Sequence, residues 1–470
     1  DIVILDLKTQ SRKTILAGDA NYFPHSFSPD GKFLLTVRWN SNSDSDLFLS
    51  DISNGDSKHL TPHSGEVLYM PVAFTADGKG IYVLTDFERE FLGLAHLNLP
   101  DGTLSYVKTL DWSVQEAELS ADGRYLAYIV NEDGYSRLFL LDQKTAEEKF
   151  FEELPNGVYS LLRFSPKQPL VAFYISKPSR PAELFVLNLE TGKFWKLTQS
   201  YLGGVPEEEM VEPELIRYPT HDGKMIPAFL YKPKGASTSQ KSPVVLSIHG
   251  GPEAQERPSY AYNGFYQYLL NRGIGILAPN VRGSTGYGKS YQKLIHRDWG
   301  GAELRDFEFA VRYLHSLAWV DASRIGVFGG SFGGFASLSC ATRLSELFAC
   351  SVDICGPSNL ITFTKSVPEF WKRYMKEWVG DPVEDAELLK ERSPISYVDN
   401  IKAPILIIQG ANDPRVVKAE SDQMVARLKE LGREVEYIVF EDEGHGFTKP
   451  ANYLKALKAS ALFLEKHLAS

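Results

Sequence analysis

Ser331 stands at the centre of residues 329–333 (GGSFG), a G-x-S-x-G sequence in which a serine hydroxyl can act as a nucleophile. An apolar segment at residues 325–328 predicts a buried strand before it, and the small and apolar residues after it predict a helix. A strand that reverses abruptly into a helix strains the serine backbone and leaves room only for glycine on either side. The motif therefore predicts a serine hydroxyl exposed at a helix N-terminus. A glycine-serine loop without chemistry is the alternative.

Two further residues could activate that hydroxyl. Asp413 follows a predicted strand at residues 405–408, and His445 follows another at 435–440. A serine is a poor nucleophile until a base takes its proton, and a buried carboxylate must hold the base in one tautomer. The order serine, aspartate, histidine, each beyond the end of a strand, predicts a catalytic triad of Ser331, Asp413 and His445. Taken singly, Asp413 could instead begin a helix and His445 could be a turn residue.

The loop after the predicted strand 244–248 has the sequence His-Gly-Gly-Pro (249–252) and is a candidate oxyanion hole. Acyl transfer requires N–H donors aimed at the oxyanion that develops on the attacked carbonyl. We assign these donors as the backbone N–H groups of Gly251 and of Phe332, the residue after the nucleophile. His249 is interpreted as a residue that shapes this loop. The chemistry needs no cofactor and no metal ion, and neither is expected.

The elements that must position these residues begin at Glu214, where apolar strands alternate with helices. Such alternation predicts an α/β domain at residues 214–470 with a doubly wound, mostly parallel sheet. The predicted strands are residues 214–218, 225–231, 243–248, 275–278, 325–328, 349–353, 404–408 and 435–440. The predicted helices include residues 302–317, 421–431 and 452–468.

The N-terminal part carries an internal repeat. Related segments begin at Phe27, Phe74, Leu119 and Phe164, which are 47, 45 and 45 residues apart, and three of them contain Asp-Gly. Strands follow each segment, and four strands per period of this length are typical of propeller blades. We therefore predict a β-propeller at residues 1–205 with four whole blades and a partial one, then an acidic linker at 206–213.

The composition of the chain restricts the classes of binding partner that the protein can have. The chain has 470 residues, 43% of them hydrophobic, and a formal net charge of -10, which argues against nucleic acid and anionic membranes as partners. No apolar run approaches the length of a membrane span. The three cysteines, Cys340, Cys350 and Cys355, indicate reduced core thiols and a cytoplasmic setting. Whether the protein is a homo-oligomer stays open.

A propeller followed by these hydrolase motifs resembles the prolyl oligopeptidase family. The shared motifs are His-Gly-Gly-Pro, residues 280–288 (NVRGSTGYG), 298–301 (DWGG), the GGSFGG segment and Gly-His-Gly. Within the family the resemblance is greatest to the acylaminoacyl peptidase (acyl-peptide hydrolase) branch. Prolyl oligopeptidases and dipeptidyl peptidases place an oxyanion-hole tyrosine near the position of His249, and its absence favours this branch.

The resemblance implies a serine peptidase that hydrolyses short or N-acylated peptides through an acyl-enzyme. A carboxylesterase and a dipeptidyl-peptidase-like exopeptidase of the same fold are the alternatives, and a non-catalytic propeller scaffold is a third. Dipeptidyl peptidases hold the free amino terminus of the substrate with a glutamate pair. The pairs at 147–148 and 152–153 are interpreted instead as strand-edge and turn residues.

An aromatic cluster, Phe370, Trp371 and Tyr374, lies in the segment where the family builds its side-chain pocket. These residues are candidates for a pocket that holds an apolar side chain of the substrate. The same helical spacing, continued to Trp378, suits an ordinary packing face equally well.

The opening of the chain, residues 1–16, matches only the outer two strands of a blade. The residues after the last full blade, 202–213, are rich in glycine, proline and glutamate and would make poor inner strands. We therefore expect either that upstream residues of a longer parent are missing or that the propeller is an open arc.

Overall fold

The computed structural model of the protein describes residues 1–468, which divide into two compact units. The first unit contains Asp1–Lys177, Ala182–Ser200 and Gly286–Ser290. The second contains Pro178–Pro181, Tyr201–Thr285 and the residues from Tyr291 onward. Antiparallel sheets build the first unit, and one large sheet with helices builds the second.

The chain opens with an antiparallel pair of strands, β1 (Ile2–Leu5) and β2 (Arg12–Leu16). They form a two-stranded sheet of their own. The predicted partial blade is therefore confirmed.

Four further sheets of the first unit, counted within residues 1–468, each join four consecutive strands. In chain order these strands are β3 (Asn21–Phe27), β4 (Phe33–Ser41), β5 (Asp44–Asp51), β6 (Ser57–His59), β7 (Tyr69–Phe74), β8 (Gly80–Thr85), β9 (Gly93–Asn98), β10 (Leu104–Lys108), β11 (Ser113–Leu119), β12 (Tyr125–Glu132), β13 (Tyr135–Asp142), β14 (Glu147–Phe150), β15 (Val158–Phe164), β16 (Leu170–Lys177), β17 (Arg180–Asn188) and β18 (Phe194–Lys196). The register shifts in the first strand of every sheet, as a β-bulge does. The four predicted blades are confirmed.

The Asp-Gly sequences of the repeat form the turn between the first two strands of a blade. In the first blade the Asp30 carboxylate accepts hydrogen bonds from Ser28 Oγ (2.7 Å) and from the Lys32 N–H (3.1 Å), and Gly31 has φ +70°. Asp77 and Asp122 make the same two contacts in the next two blades. The repeated sequence thus encodes a repeated turn, because an aspartate that bonds its own backbone and a glycine at positive φ favour this geometry.

The sheet of the second unit has the order β19-β20-β22-β21-β23-β24-β25-β26. The strands β19 and β20 are antiparallel to their neighbours, and β22, β21 and the rest run parallel, as the prediction of a doubly wound sheet requires. They are β19 (Glu214–Pro219), β20 (Met225–Tyr231), β21 (Ser242–Ile248), β22 (Gly275–Pro279), β23 (Val320–Gly330), β24 (Cys350–Ile354), β25 (Ile405–Gly410) and β26 (Val435–Phe440). The carboxyl ends of the parallel strands meet at one edge, where loops carry the candidate residues.

Helices of the second unit pack on the sheet around an extensive apolar core. They are α1 (Phe265–Asn271), α3 (Ala302–Ser316), α4 (Phe332–Arg343), α5 (Leu360–Ser366), α6 (Glu369–Trp378), α7 (Ala386–Arg392), α8 (Lys418–Glu430) and α9 (Pro450–Leu468), and the short helix α2 (Lys289–Lys293) begins in residues of the first unit and ends in residues of the second. The three predicted helices correspond to α3, α8 and α9. Among the residues described, no helix combines the length and the apolar character that crossing a membrane would need.

A buried ion pair ties the loop after β22 to helix α3. The Arg282 guanidinium donates from Nε to Asp306 Oδ2 and from Nη2 to Asp306 Oδ1, both at 2.8 Å. The arginine side chain is 5% exposed and the aspartate side chain is fully buried. Asp306 Oδ1 also accepts a hydrogen bond from Thr220 Oγ1 at 2.7 Å. Because both charges are removed from water, each depends on its partner.

Replacing Asp306 by alanine is expected to lower the free energy of unfolding by about 3–5 kcal/mol, because it leaves the Arg282 charge buried without its main partner. Asp222 is the matched control, since it contacts the same guanidinium at 3.3 Å with a side chain that is 31% exposed. Asp222→Ala should cost no more than about 1 kcal/mol. Urea unfolding curves of the two variants measure the difference, and equal losses would contradict a dominant role for the buried pair.

Candidate active site

Ser331 connects β23 to α4, and its backbone is strained. The residue is the N-cap of α4 with φ 58° and ψ −119°, a conformation that a non-glycine residue rarely adopts. Its N–H donates to the Ile354 carbonyl oxygen at 2.8 Å, and its own carbonyl accepts from the Phe335 N–H at 3.0 Å. The predicted abrupt turn from strand to helix is therefore present. The unpaired N–H groups and positive dipole end of the helix lie beside the serine.

Close backbone contacts explain the glycines around the serine. A Cβ added at Gly333 would lie 2.1 Å from the Ile248 carbonyl oxygen, and one added at Gly329 would lie 2.3 Å from the Gly333 carbonyl oxygen. Real Cβ atoms do not approach other atoms so closely. The end of β21, the end of β23 and the first turn of α4 can therefore meet only if both positions lack a side chain.

Asp413 and His445 are brought together at the same edge of the sheet. The loops after β25 and β26 carry them, and His445 Nδ1 lies 2.7 Å from Asp413 Oδ2. The other carboxylate oxygen accepts the N–H groups of Arg415 (2.8 Å) and Val416 (3.0 Å). The Asp413 side chain is fully buried, and that of His445 is 13% exposed. The arrangement fixes one ring nitrogen as a donor and leaves the other able to accept a proton.

Glu443 holds the loop that carries the histidine, a role that the sequence analysis did not foresee. This buried carboxylate accepts the backbone N–H groups of Thr448 (2.8 Å) and Lys449 (3.0 Å), and Asn452 Nδ2 at 2.8 Å. His445 lies inside the segment that these bonds close. The only sequence signal was an acidic residue just before a Gly-His-Gly turn.

The loop at residues 249–252 packs against the serine through its backbone. A Cβ added at Gly250 would lie 3.1 Å from the Gly330 carbonyl oxygen and 3.5 Å from Ser331 Cβ. His249 is buried, with Nδ1 donating to the Gly250 carbonyl at 2.7 Å and Nε2 accepting from Ser284 Oγ at 2.9 Å. Burial lowers the pKa of His249, so a neutral ring braces the loop. Phe332 is the first residue of α4, and the donor roles of Gly251 and Phe332 stay predictions.

The aromatic cluster lies on α6, and one of its residues contacts the loop that carries Asp413. The Arg415 guanidinium lies 5.5 Å from the centre of the Trp371 ring, in a cation–π contact two residues after Asp413. Trp371 packs at the edge of the apolar core, whereas Phe370 is 54% exposed. Burial raises the pKa of Tyr374 to about 12. A packing role for Trp371 and a pocket role for this helix are therefore compatible.

The two glutamate pairs lie in the first unit. Glu147 and Glu148 belong to β14, the last strand of its sheet, and the Glu148 carboxylate pairs with Lys108 and accepts a hydrogen bond from the Tyr128 hydroxyl. Residues 152–153 form part of an exposed turn. These positions agree with the interpretation as strand-edge and turn residues.

Cys355 is a second residue whose position the sequence analysis did not foresee. All three cysteines are buried free thiols, as expected. Cys355, however, directly follows β24, and its Sγ, a carboxylate oxygen of Asp413 and a ring nitrogen of His445 all lie within 4.8 Å of one another. The strand order could have predicted this, because β24 lies between β23 and β25.

Comparison with known proteins finds similarity to peptidases. Residues 260–470 match the profile of the prolyl oligopeptidase family. Dipeptidyl aminopeptidase BIII of Pseudoxanthomonas mexicana is 41% identical over 244 residues, which are 50% of this chain and 35% of that protein. Acylamino-acid-releasing enzyme 1 of Oryza sativa subsp. japonica is 28% identical over 241 residues, 49% of this chain and 31% of that protein. The chain thus spans about a third of the length of these two relatives.

A solved structure extends the similarity of fold to nearly the whole chain. A puromycin-hydrolysing peptidase of Mycobacterium tuberculosis superposes with a TM-score of 0.86 at 24% sequence identity. The superposition covers 98% of this chain and 73% of that one. At this identity the match establishes the fold, a propeller with an α/β-hydrolase, and nothing about the substrate.

The glycines of the turn provide a test of the geometry. Gly333→Ala should displace the backbone around Ser331 by a fraction of an ångström or more, and such misplacement costs on the order of 100-fold in turnover. Gly330→Ala is the matched control. A Cβ added at Gly330 would lie 3.7 Å from the Ile354 carbonyl oxygen and 3.8 Å from Ile354 Cβ, which are ordinary contact distances. Turnover of an anilide substrate and the melting temperature are measured for both. Similar activities in the two variants would show that the contact with Ile248 does not position the serine.

Proposed function

Because this chain belongs to the prolyl oligopeptidase family through its α/β unit, we propose that it is a serine peptidase whose triad is Ser331, Asp413 and His445. The hydrogen bond of 2.7 Å between Asp413 and His445, at the sheet edge where Ser331 caps α4, is the observation that carries the proposal. Its substrates are short or N-acylated peptides.

In the proposed mechanism His445 takes the proton of the Ser331 hydroxyl as its oxygen attacks the scissile carbonyl. Asp413 holds the Nδ1–H donor and stabilises the imidazolium that forms. The N–H groups of Gly251 and Phe332 bind the oxyanion, and the N-terminus of α4 adds a favourable dipole. His445 then protonates the leaving amine, and a water molecule, activated by the same histidine, hydrolyses the acyl-enzyme.

The preference for blocked amino termini is supported by two observations. His249 occupies the loop where the family's oxyanion-hole tyrosine would lie, and both its ring nitrogens are engaged in bracing that loop. Glu148 already pairs with Lys108, and the turn at 152–153 is exposed, so neither glutamate pair offers a free carboxylate cluster built to bind an ammonium group. The proposed site therefore favours substrates whose amino terminus carries no charge.

The side chain next to the cleaved bond is proposed to lie against α6. Phe370, Trp371 and Tyr374 present aromatic surface close to the loop of Asp413, as the contact between Arg415 and Trp371 indicates. An aromatic wall of this kind favours apolar side chains of the substrate.

A second candidate function is the release of dipeptides from a free amino terminus. The name of the relative with 41% identity, a dipeptidyl aminopeptidase, favours it. The two candidates share the triad and differ only in what holds the amino end of the substrate. A comparison of substrates therefore separates them.

The proposed setting is a reducing one, such as the cytoplasm. Three buried free thiols and no disulfide, counted among the described residues, suit such a compartment. Peptides are the proposed partners, and the net charge of -10 disfavours nucleic acid.

Ser331→Ala should lower turnover by about a million-fold, as comparable triad substitutions do. Labelling by a fluorophosphonate probe should be lost at the same time, because the nucleophilic oxygen is absent. Ser323→Ala, at an exposed serine before the motif, is the control and should retain both properties. A Ser331→Ala protein that is folded by circular dichroism but keeps a tenth of the activity would refute the assignment.

The substrate prediction is that acetyl-Ala and acetyl-Phe anilides are cleaved faster than the unblocked Gly-Pro anilide. The physical reason is the lack of a dedicated carboxylate pair for the free ammonium group. The values of kcat/KM for the blocked and unblocked anilides are compared on one enzyme preparation, with Ser331→Ala as the blank. Glu148→Gln is a control that should change neither value. Faster release from Gly-Pro anilide would establish the dipeptidyl alternative instead.

A further inference from the structure

Cys355 occupies a position among the candidate catalytic residues that the peptidase mechanism does not use. Its N–H donates to the Ile408 carbonyl of β25 at 2.8 Å, and the preceding carbonyl, of Ile354, accepts from the Ser331 N–H. Its backbone has φ 47°, and the residue is 4% exposed. These contacts fix the thiol at the carboxyl ends of β23, β24 and β25.

Three different metal-ligating groups meet there. Cys355 Sγ, a ring nitrogen of His445 and a carboxylate oxygen of Asp413 all lie within 4.8 Å of one another. In a tetrahedral zinc site, bond lengths of about 2.0–2.3 Å separate the ligand atoms by roughly 3.3–3.7 Å. Modest side-chain rotations would therefore bring the three atoms to coordinating distance.

We propose that these three side chains bind a thiophilic divalent cation such as Zn²⁺, which inhibits the enzyme; the inhibition, though not the binding, rests on the proposed peptidase function. A thiolate, an imidazole and a carboxylate are all zinc ligands, and a water molecule would complete the coordination. The thiolate selects Zn²⁺, Cd²⁺ or Co²⁺ over Mg²⁺ and Ca²⁺, which prefer sites made of oxygen atoms. The partly exposed His445 side chain marks the side from which solvent reaches the site.

Coordination would remove the general base whichever ring nitrogen binds. A metal on Nε2 occupies the lone pair that would accept the proton of Ser331. A metal on Nδ1 leaves the proton of the neutral ring on Nε2, which then cannot accept another. In both cases Asp413 gives part of its carboxylate to the metal instead of to the histidine.

Binding exchanges a proton for a metal ion and involves no change of oxidation state. Burial raises the pKa of the Cys355 thiol well above its usual range, and the nearby charges of Asp413 and Asp353 add to this, while the Ser331 backbone and Arg415 oppose it. The S–H bond therefore breaks as the S–metal bond forms, and the proton passes to solvent. Without metal, the raised pKa favours the neutral thiol.

The direct test is a titration of the Ser331→Ala protein with Co²⁺, which needs no catalytic activity. A cobalt ion bound by a thiolate gives an intense ligand-to-metal charge-transfer absorption, which Zn²⁺ should then abolish by displacement. The band should be lost in Ser331→Ala proteins that also carry Cys355→Ala or Cys355→Ser. Both replacements are small and unbranched, which suits the positive φ of this residue. Absence of the band with Ser331→Ala alone, or its persistence in folded double variants, would overturn the proposal.

The consequence for activity is measured separately on the enzyme with Ser331 intact. Micromolar Zn²⁺ should inhibit hydrolysis, Mg²⁺ should not, and chelation should restore the rate. For Cys355→Ala and Cys355→Ser, each compared with its own rate without metal, the inhibitory Zn²⁺ concentration should rise at least tenfold.

Cys350→Ala and Glu436→Gln are the matched controls. Cys350 is a buried thiol at the amino end of β24, opposite the end that Cys355 follows, and Glu436 belongs to a separate cluster with Glu434 and His467. Neither should shift the inhibitory concentration. Equal inhibition in all variants would overturn the regulatory role of Cys355. A chain without any peptidase activity that nevertheless shows the cobalt band would refute the proposed function and leave the metal site intact.

Discussion

The contact between the first turn of α4 and the end of β21 is the constraint on which the rest of the candidate active site depends. Gly333 approaches the Ile248 carbonyl so closely that no side chain fits. This approach places the strained Ser331 at a helix N-terminus and brings the loop of His249 against it. Sheet, helix and loop therefore meet through their backbones at this point, while the buried Phe332 ring next to the serine packs on Trp299 and Phe335.

In both units, carboxylates that accept hydrogen bonds from backbone N–H groups stabilise loops and turns. In the second unit Asp413 and Glu443 each hold two N–H groups of the loop that carries or follows them. In the first unit Asp30, Asp77 and Asp122 hold the blade turns in the same manner. A buried or turn carboxylate satisfies donors that would otherwise face an apolar surface or water. Asp413 is special because its second oxygen is free to orient His445.

Much of this organisation could be predicted from the sequence because its signals are local. Each blade turn, each strand or helix pattern and the group of glycines around Ser331 is encoded by residues close together in the chain, and the blade signal recurs at intervals of 45 to 47 residues. The bounds of β23 could not be predicted so well: the strand begins at Val320, five residues before the apolar segment, because Val320 already pairs with Ser242 ahead of a register shift. The position of Cys355 depends on which strands are neighbours, and the contact of Arg415 with Trp371 depends on where α6 packs. Neither is encoded in spacing along the chain.

The pairing pattern of the strands also has a consequence for the order of folding. Every sheet of the first unit joins strands that follow one another directly, so each hairpin closes a short loop as soon as its residues are available. In the second unit β21 can pair with β22 first, but its pairing is complete only once β23 is available, since Ser242 pairs with Val320. During synthesis from the N-terminus the blades can therefore form before the central sheet has all its strands. The edge of the sheet that carries the candidate triad needs β26 as well, so it is completed late in this order, with α9 still to follow.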